Sequence, residues 1–449
     1  MHKQSLACPA PANVARCGDA TALASALQAS RRDTLATFAA FEAALPNLAV
    51  PQRAEFNPPL WELGHIGWFQ SWWLGRNPAR GDGVMADPER PRLAPLRAGM
   101  DACYDSGRVP HATRWRLPLP DAQATRADLQ AQLQQTLALL ADWAADWAAD
   151  GAADWAADWA ADRSAGGSAD APTGADPSLY FFRLALLHED MHHEAALYMA
   201  QALGVPTLDP RWQAPVLPAP TAALVNAGGA FTCGSRLEEG FAFDNELGAH
   251  AAELAPFEID AQVVRWAEFL PFVEAGGYAD ARWWTAAGDA WRRSSAAMAP
   301  RYLRRDTGIS NAWQQWRHGR WQALPMNEPA CHLTQHEALA WCRWAGRRLP
   351  TEAEWEQTAT GADGSTGRFR WGDVWEWTAS PFAPYPGFQA HPYRDYSAPW
   401  FDGRPVLRGA SFMTQPRLRH SRYRNYFPAA RNDVPAGFRT CAIQPTGRG

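Results

Sequence analysis

The sequence predicts two folded units in series, a helical bundle over residues 20–205 and an irregular α+β domain over 220–445. Three observations carry this. The chain has 449 residues, more than one hydrophobic core ordinarily serves. Before residue 205, apolar side chains recur near helical spacing, as in Leu23, Leu27, Leu35, Phe38 and Phe41. Between Pro206 and Pro220 five prolines interrupt the chain, and beyond them glycine, tryptophan and short apolar runs alternate.

The elements follow in order. Residues 1–20 are rich in Pro and Ala and are expected to fray. A first helix is predicted over 20–45, ended by Pro46 and Pro51. A second covers 58–74, with prolines confined to its first turn, where a missing N–H costs little. Residues 75–120 carry many Pro, Arg and Gly and read as a long irregular connection, a length often associated with function. Helix resumes over 121–162. From Asp142 this helix repeats Asp-Trp-Ala-Ala with one Gly151 variant. A period of four drifts about 40° per repeat against a 3.6-residue turn. The tryptophan stripe should therefore wind round the helix, as an expanded extension of it. Residues 163–178 read as a flexible loop, and a fourth long helix as covering 179–203. In the second unit helices are expected over 266–275 and 336–345.

Composition narrows the function. A net charge of −5 gives no electrostatic reason for a nucleic-acid partner. Seven cysteines are scattered without a Cys-x-x-Cys pair, which reads as free thiols in a reducing compartment. No apolar leader and no run of about 18 apolar residues is present, so a soluble, cytoplasmic protein without a membrane partner is expected.

The chemistry concentrates on the fourth long helix. His188 and His192 are four residues apart, which puts both imidazoles on one helix face, one turn apart. Two histidines so placed can chelate one divalent metal, and a third ligand is then needed. His65, among Leu63, Ile66, Trp68 and Phe69, is the best candidate. The alternative is that all three are polar positions of buried helices. His-Glu-x-x-His also matches the zincin signature. However, Asp209 is the sole acidic residue between Ala195 and Leu237, and no downstream histidine stands at the offset an extended zincin motif requires.

The second unit resembles the formylglycine-generating-enzyme or sulfatase-modifying-factor fold, a C-type-lectin-like α+β domain. The resemblance rests on Gly228-Gly229-Ala230-Phe231-Thr232-Cys233-Gly234-Ser235, Gly346-Arg347-Arg348-Leu349-Pro350-Thr351-Glu352-Ala353-Glu354-Trp355, Trp375-Glu376-Trp377-Thr378, Leu407-Arg408-Gly409-Ala410-Ser411-Phe412 and Gly437-Phe438-Arg439. Formylglycine-generating members use a cysteine pair shortly after the fourth of these motifs. Residues 413–418 contain none, so that activity is not expected.

Together with Leu63-Gly64-His65-Ile66-Gly67-Trp68-Phe69 and the His-Glu-x-x-His-x-Glu run from His188 to Glu194, the chain resembles the ergothioneine-type sulfoxide synthases. The resemblance implies a DinB-like four-helix bundle sharing one active site with the lectin-like domain. It implies Fe(2+) on His65, His188 and His192, with hercynine, a chalcogen donor and O2 as substrates. It implies Asn425 on the betaine carboxylate and Tyr426, with neighbouring aromatics, on the trimethylammonium. A proton-donating tyrosine is implied among Tyr385, Tyr393 and Tyr396. Phe427 stands where glutamylcysteine-using members carry Asp, and Met191 where they commonly carry Gln. These departures, and the segment from Tyr104 to Trp115 with Arg108 in it, are most like the selenoneine synthase branch, which implies a selenosugar donor. The alternatives are an ergothioneine- or ovothiol-type synthase, joining cysteine or glutamylcysteine to hercynine or histidine, and a catalytically silent lectin-like binding protein.

Overall fold

The computed structural model describes residues 10–165, 176–306, 308 and 312–443. Its first part is helical: α1 (Ala10–Cys17), α2 (Ala20–Ala44), α3 (Pro59–Gln70), α4 (Met100–Tyr104), α5 (Ala122–Ala165) and α6 (Tyr180–Leu203). The sequence marks these ends. Asp19 caps α2 by accepting from the Ala22 N–H at 2.8 Å. Pro59 opens α3, whose last turn widens into a π turn at Ser71–Gly75. Gly204, at φ +74°, closes α6 in the left-handed region. Gly64 of α3 is required by contact: a Cβ there would lie 2.3 Å from the Tyr104 ring.

Two expectations change here. The N-terminal segment from residue 10 is helical and packed, with Ala12, Ala15 and Arg16 buried. Arg16 forms an ion pair at 2.7 Å with Glu246 of the second part, which seats the helix. The connection 75–120 contains α4 and two 3-10 turns, Arg80–Met85 and His111–Arg116. In α5, Trp143 donates to Ser178 at 2.7 Å. The side chains of 147–165, and residues 166–175 altogether, lie outside the described residues, and with them most of the tryptophan stripe and the loop expected after it.

Among the described residues, the second part holds four small sheets. One has the order β1-β4-β13-β8, from β1 (Leu224–Asn226), β4 (Phe257–Ile259), β8 (Arg347–Arg348) and β13 (Cys441–Ala442). A hairpin pairs β2 (Gly229–Cys233) with β3 (His250–Leu254), and a meander joins β5 (Leu303–Arg305), β6 (Trp313–Arg317) and β7 (Arg320–Ala323). The fourth has the order β11-β10-β9-β12: β9 (Trp375–Pro381), β10 (Pro405–Gly409), β11 (Asn425–Tyr426) and β12 (Ala436–Gly437). Helices α7 (Trp266–Glu274), α8 (Ala286–Ser295), α9 (Gln335–Trp344), α10 (Glu352–Thr360) and α11 (Ala362–Ser365) flank them.

Helices α7 and α9 match expectation; α8 and α10 do not. Both α9 and α10 begin with a capping box, Thr334 with Glu337 and Thr351 with Glu354, a Thr-x-x-Glu signal present in the sequence. The two parts share one apolar core. Trp61, Phe69 and Leu186 belong to the same buried cluster as Phe243, Trp375, Leu418 and Tyr423. The buried guanidiniums of this part are paired: Arg408 with Glu356, Arg424 with Glu352 and Arg439 with Glu376.

Candidate metal centre and the adjoining cavity

Helices α3 and α6 bring His65, His188 and His192 together, with one ligand atom of each within 4.8 Å of the others. The Nε2 atoms of His188 and His192 are 3.2 Å apart. Two nitrogens bound at right angles to one ion, each about 2.1 Å away, lie about 3 Å apart. The remaining ring atoms are fixed from behind. His65 Nδ1 is 2.8 Å from the Tyr104 carbonyl, and His192 Nδ1 is 2.6 Å from Glu62 Oε2. The Asn57 amide donates to the other Glu62 oxygen. The His188 ring stacks on Phe69, with centroids 3.5 Å apart. Holding Nδ1 this way leaves Nε2 of His65 and His192 as the ligand atom.

Electrostatics favours the ligating form. Burial, reinforced by His192, pushes His65 down to about 3, and burial holds His188 well below the ordinary imidazole value. Burial pushes Glu62 up, but the charge and hydrogen bond of His192 outweigh it and bring the carboxyl down to about 2. Two imidazoles held neutral by burial, His65 and His188, and a third, His192, backed by a carboxylate are a donor set that fits a divalent transition metal.

The acids of α6 have protein partners of their own, although Glu194 uses only one of its two oxygens for them. Glu189 takes Arg31 at 2.8 and 3.1 Å, so the glutamate of the zincin-like motif is not free to act as a base. Asp190 accepts from Ser30 at 2.6 Å and from Arg417 at 2.8 and 3.0 Å. Glu194 accepts three bonds on one oxygen, Oε1: Trp375 Nε1 at 2.8 Å, Ser411 Oγ at 2.6 Å and Thr414 Oγ1 at 2.8 Å.

A cavity of about 260 Å³ opens on His188 and His192. Its walls come from α6, from β9 and β11, and from the segments 393–396, 418–427 and 434–435 around them, and they are rich in Tyr, Trp and Phe. Met191, Asn425, Tyr426 and Phe427 line it, and so do Tyr393 and Tyr396. Burial raises the phenols of Tyr393 and Tyr396 above the ordinary tyrosine value, so both carry their proton at neutral pH.

Comparison with known proteins bears on this site. Hercynine oxygenase of Mycolicibacterium smegmatis is 31% identical over 439 residues, covering 85% of this chain and 90% of that protein. Its counterpart in Mycolicibacterium thermoresistibile is 32% identical over 444 residues, covering 85% and 86%. The chain belongs to the hercynine oxygenase family. The Sulfatase-modifying factor enzyme 1-like domain family matches residues 213–373. The formylglycine-generating enzyme of Streptomyces coelicolor is 38% identical over 159 residues, 32% of this chain and 49% of that enzyme. The architecture is thus a helical N-terminal region followed by a formylglycine-generating-enzyme-like part. No helix among the described residues is long and apolar enough to cross a membrane.

Two expected residues lie away from the cavity of this hercynine oxygenase relative. Tyr385 points into the second part, with Oη 3.4 Å from Glu352 Oε2 and 3.5 Å from Cys233 Sγ, under the Arg424 guanidinium. That buried ion pair draws it away from the histidines. Arg108 is exposed and pairs with Asp105 at 3.4 Å, within its own turn. One residue that the sequence did not single out belongs at the site. Tyr423 lines the cavity, with Oη 3.0 Å from Tyr396 Oη and 3.3 Å from the Met191 sulfur. Its spacing from Asn425 was the available signal, because residues two apart in extended chain share a face.

Proposed function

We propose that this chain is a non-haem iron(II) enzyme that uses O2 to form a carbon–selenium bond between hercynine and a selenosugar. The carrying observation is the convergence of three imidazoles, two of which, His188 and His192, open onto an aromatic-lined cavity, in a member of the hercynine oxygenase family. His65, His188 and His192 would hold the iron, which when bound supplies O2 activation and a seat for the chalcogen. We read residues 20–205 as a DinB-like bundle and 220–445 as the lectin-like domain, meeting at this cavity. The six described cysteines are free, which agrees with a cytoplasmic enzyme.

The protein's own groups have distinct tasks. Asn425 offers its amide to the betaine carboxylate, and the Tyr426 face offers the trimethylammonium a cation–π partner. Tyr396 holds a proton at Oη, in contact with Tyr423 Oη, where a developing negative charge at the reacting centre can take it. The apolar and aromatic walls exclude water.

The cavity lining supports this choice of donor. Among its lining residues there is no Lys, Arg or Asp. Arg431 lies behind the Phe427 ring at 4.6 Å and is paired with Asp433. An amino-acid thiol would bury a second carboxylate here, beside that of hercynine and without a cationic partner, at a cost of several kcal/mol. A sugar carries no such charge. In a competition assay with hercynine, O2, a 1-selenosugar, cysteine and glutamylcysteine, mass spectrometry should find the selenosugar adduct in excess. A dominant cysteine or glutamylcysteine sulfoxide replaces this reading with an ergothioneine-type synthase. Absence of any metal-dependent product favours the silent binding protein.

A further inference from the structure

Glu194 sits two residues after His192 on α6 and lines the cavity. It is the one carboxylate of that lining. All three of its hydrogen-bond donors, from Trp375, Ser411 and Thr414, meet on Oε1. Among the described residues, Oε2 receives no hydrogen bond. Arg419, whose charge acts on this carboxylate, makes its hydrogen bonds to the carbonyls of Thr414 and Ser411 at 3.1 and 3.0 Å and no ion pair with Glu194 among the described residues. Arg419 does not line the cavity. The carboxylate therefore turns one oxygen to protein donors and the other to a space walled by Tyr198, Trp375, Tyr423, Tyr426 and Phe427.

That combination has a chemical complement. A buried negative charge wants a cation, but ring faces offer no hydrogen-bond acceptors to an N–H. A quaternary ammonium has no N–H to satisfy and presents methyl groups to aromatic faces. A primary ammonium would leave donors unpaired against the same walls. We propose that Glu194 is the counter-ion of the substrate's quaternary ammonium, and so the residue that makes this cavity select a betaine over its unmethylated or neutral analogues. This rests on the hercynine reading above and adds to it a residue and a selection rule. Three donors on Oε1 keep the side chain's geometry fixed before substrate arrives, so little ordering cost remains at binding.

The test is anaerobic titration calorimetry on the iron-loaded full chain, with no chalcogen donor. The ligands are hercynine and the neutral analogue in which a tert-butyl group replaces the trimethylammonium. The wild type should prefer hercynine by about tenfold or more. Glu194→Gln, which retains an oxygen for the three donors, should lose most of that preference by weakening hercynine alone. Glu194→Asp, which keeps the charge, should retain a preference. Three results overturn the assignment: equal weakening of both ligands in Glu194→Gln, as for a purely structural clasp; a preference that survives in Glu194→Gln; or loss of preference in Glu194→Asp with its fold intact. A wild type that binds neither ligand removes the hercynine reading and this assignment with it. A wild type that binds both equally removes this assignment alone.

Discussion

His192 Nδ1 lies 2.6 Å from Oε2 of Glu62, which stands three residues before His65 on α3. One carboxylate thus ties the α6 ligand to the helix that carries the third histidine. Its own second oxygen is held by Asn57. Removing this support should loosen the donor set without removing a ligand. Glu62→Ala is expected to weaken iron binding about 10- to 100-fold, measured by competition with a chelator of known affinity. Unchanged affinity would show that His192 needs no such support.

Tyr396 Oη lies 3.0 Å from Tyr423 Oη, and both hydroxyls face the Met191 sulfur. Tyr385, by contrast, is bound up with Glu352 and Arg424. Tyr396→Phe should lower kcat by about 10²-fold or more and leave the hercynine KM nearly unchanged. Tyr385→Phe should leave kcat within about twofold, since it removes no group from the cavity. Steady-state kinetics on both variants decides between them. The reverse pattern would return the proton donor to Tyr385.

Stability should carry a pH signature from Glu337 at the start of α9. This side chain accepts from the Thr334 N–H at 2.7 Å and from the Tyr278 hydroxyl. Burial pushes its carboxyl up to about 7, from an ordinary 4.5. Between those values the folded chain keeps a proton that the unfolded chain has released. The contribution is therefore fully present below about pH 4.5 and is lost as pH rises through about 7. Glu337→Gln should flatten the fall in Tm between pH 5 and 7.5, by the equivalent of up to about 3 kcal/mol. Thermal melts at both pH values, wild type against variant, check it. Parallel curves would contradict it.

The Trp-Ala-Ala-Asp repeat should be dispensable. Its titratable groups are all Asp, and its period of four keeps no constant face. Deleting residues 146–161 removes four whole repeats. Turnover with hercynine should stay within about twofold of the full chain, with the far-UV spectrum losing helix in proportion to the deletion. Loss of turnover in a folded protein would place the repeat on the substrate's path.

Much of the site was legible because short-range periodicity writes it. The i, i+4 pair His188 and His192 needs only a helix, and the apolar flanks of α6 supply one. His65 was legible as the odd polar residue on an apolar helix. Tyr423 was signalled only by its spacing from Asn425, because its contact with Met191 closes across 232 positions. Tyr385 and Arg108 lie away from the cavity: Tyr385 finds its partners in a buried ion-pair network that no spacing announces, and Arg108 pairs with Asp105 three residues before it. Helix α1 escaped notice because its seat is Arg16 on Glu246, a contact made between the two parts of the fold across 230 positions. Helix α10 was announced by Thr351 and Glu354, a cap signal rather than an apolar period.

The central claim is that three histidines hold one iron. Elemental analysis of the wild type and of His65→Ala, His188→Ala and His192→Ala, each reconstituted anaerobically with Fe(II) and desalted, tests it most directly. The account predicts about one iron per chain in the wild type and a loss of most of it in each variant, with the fold retained by circular dichroism. Full iron occupancy in His65→Ala would remove that residue from the site, and full occupancy in all three would contradict the account.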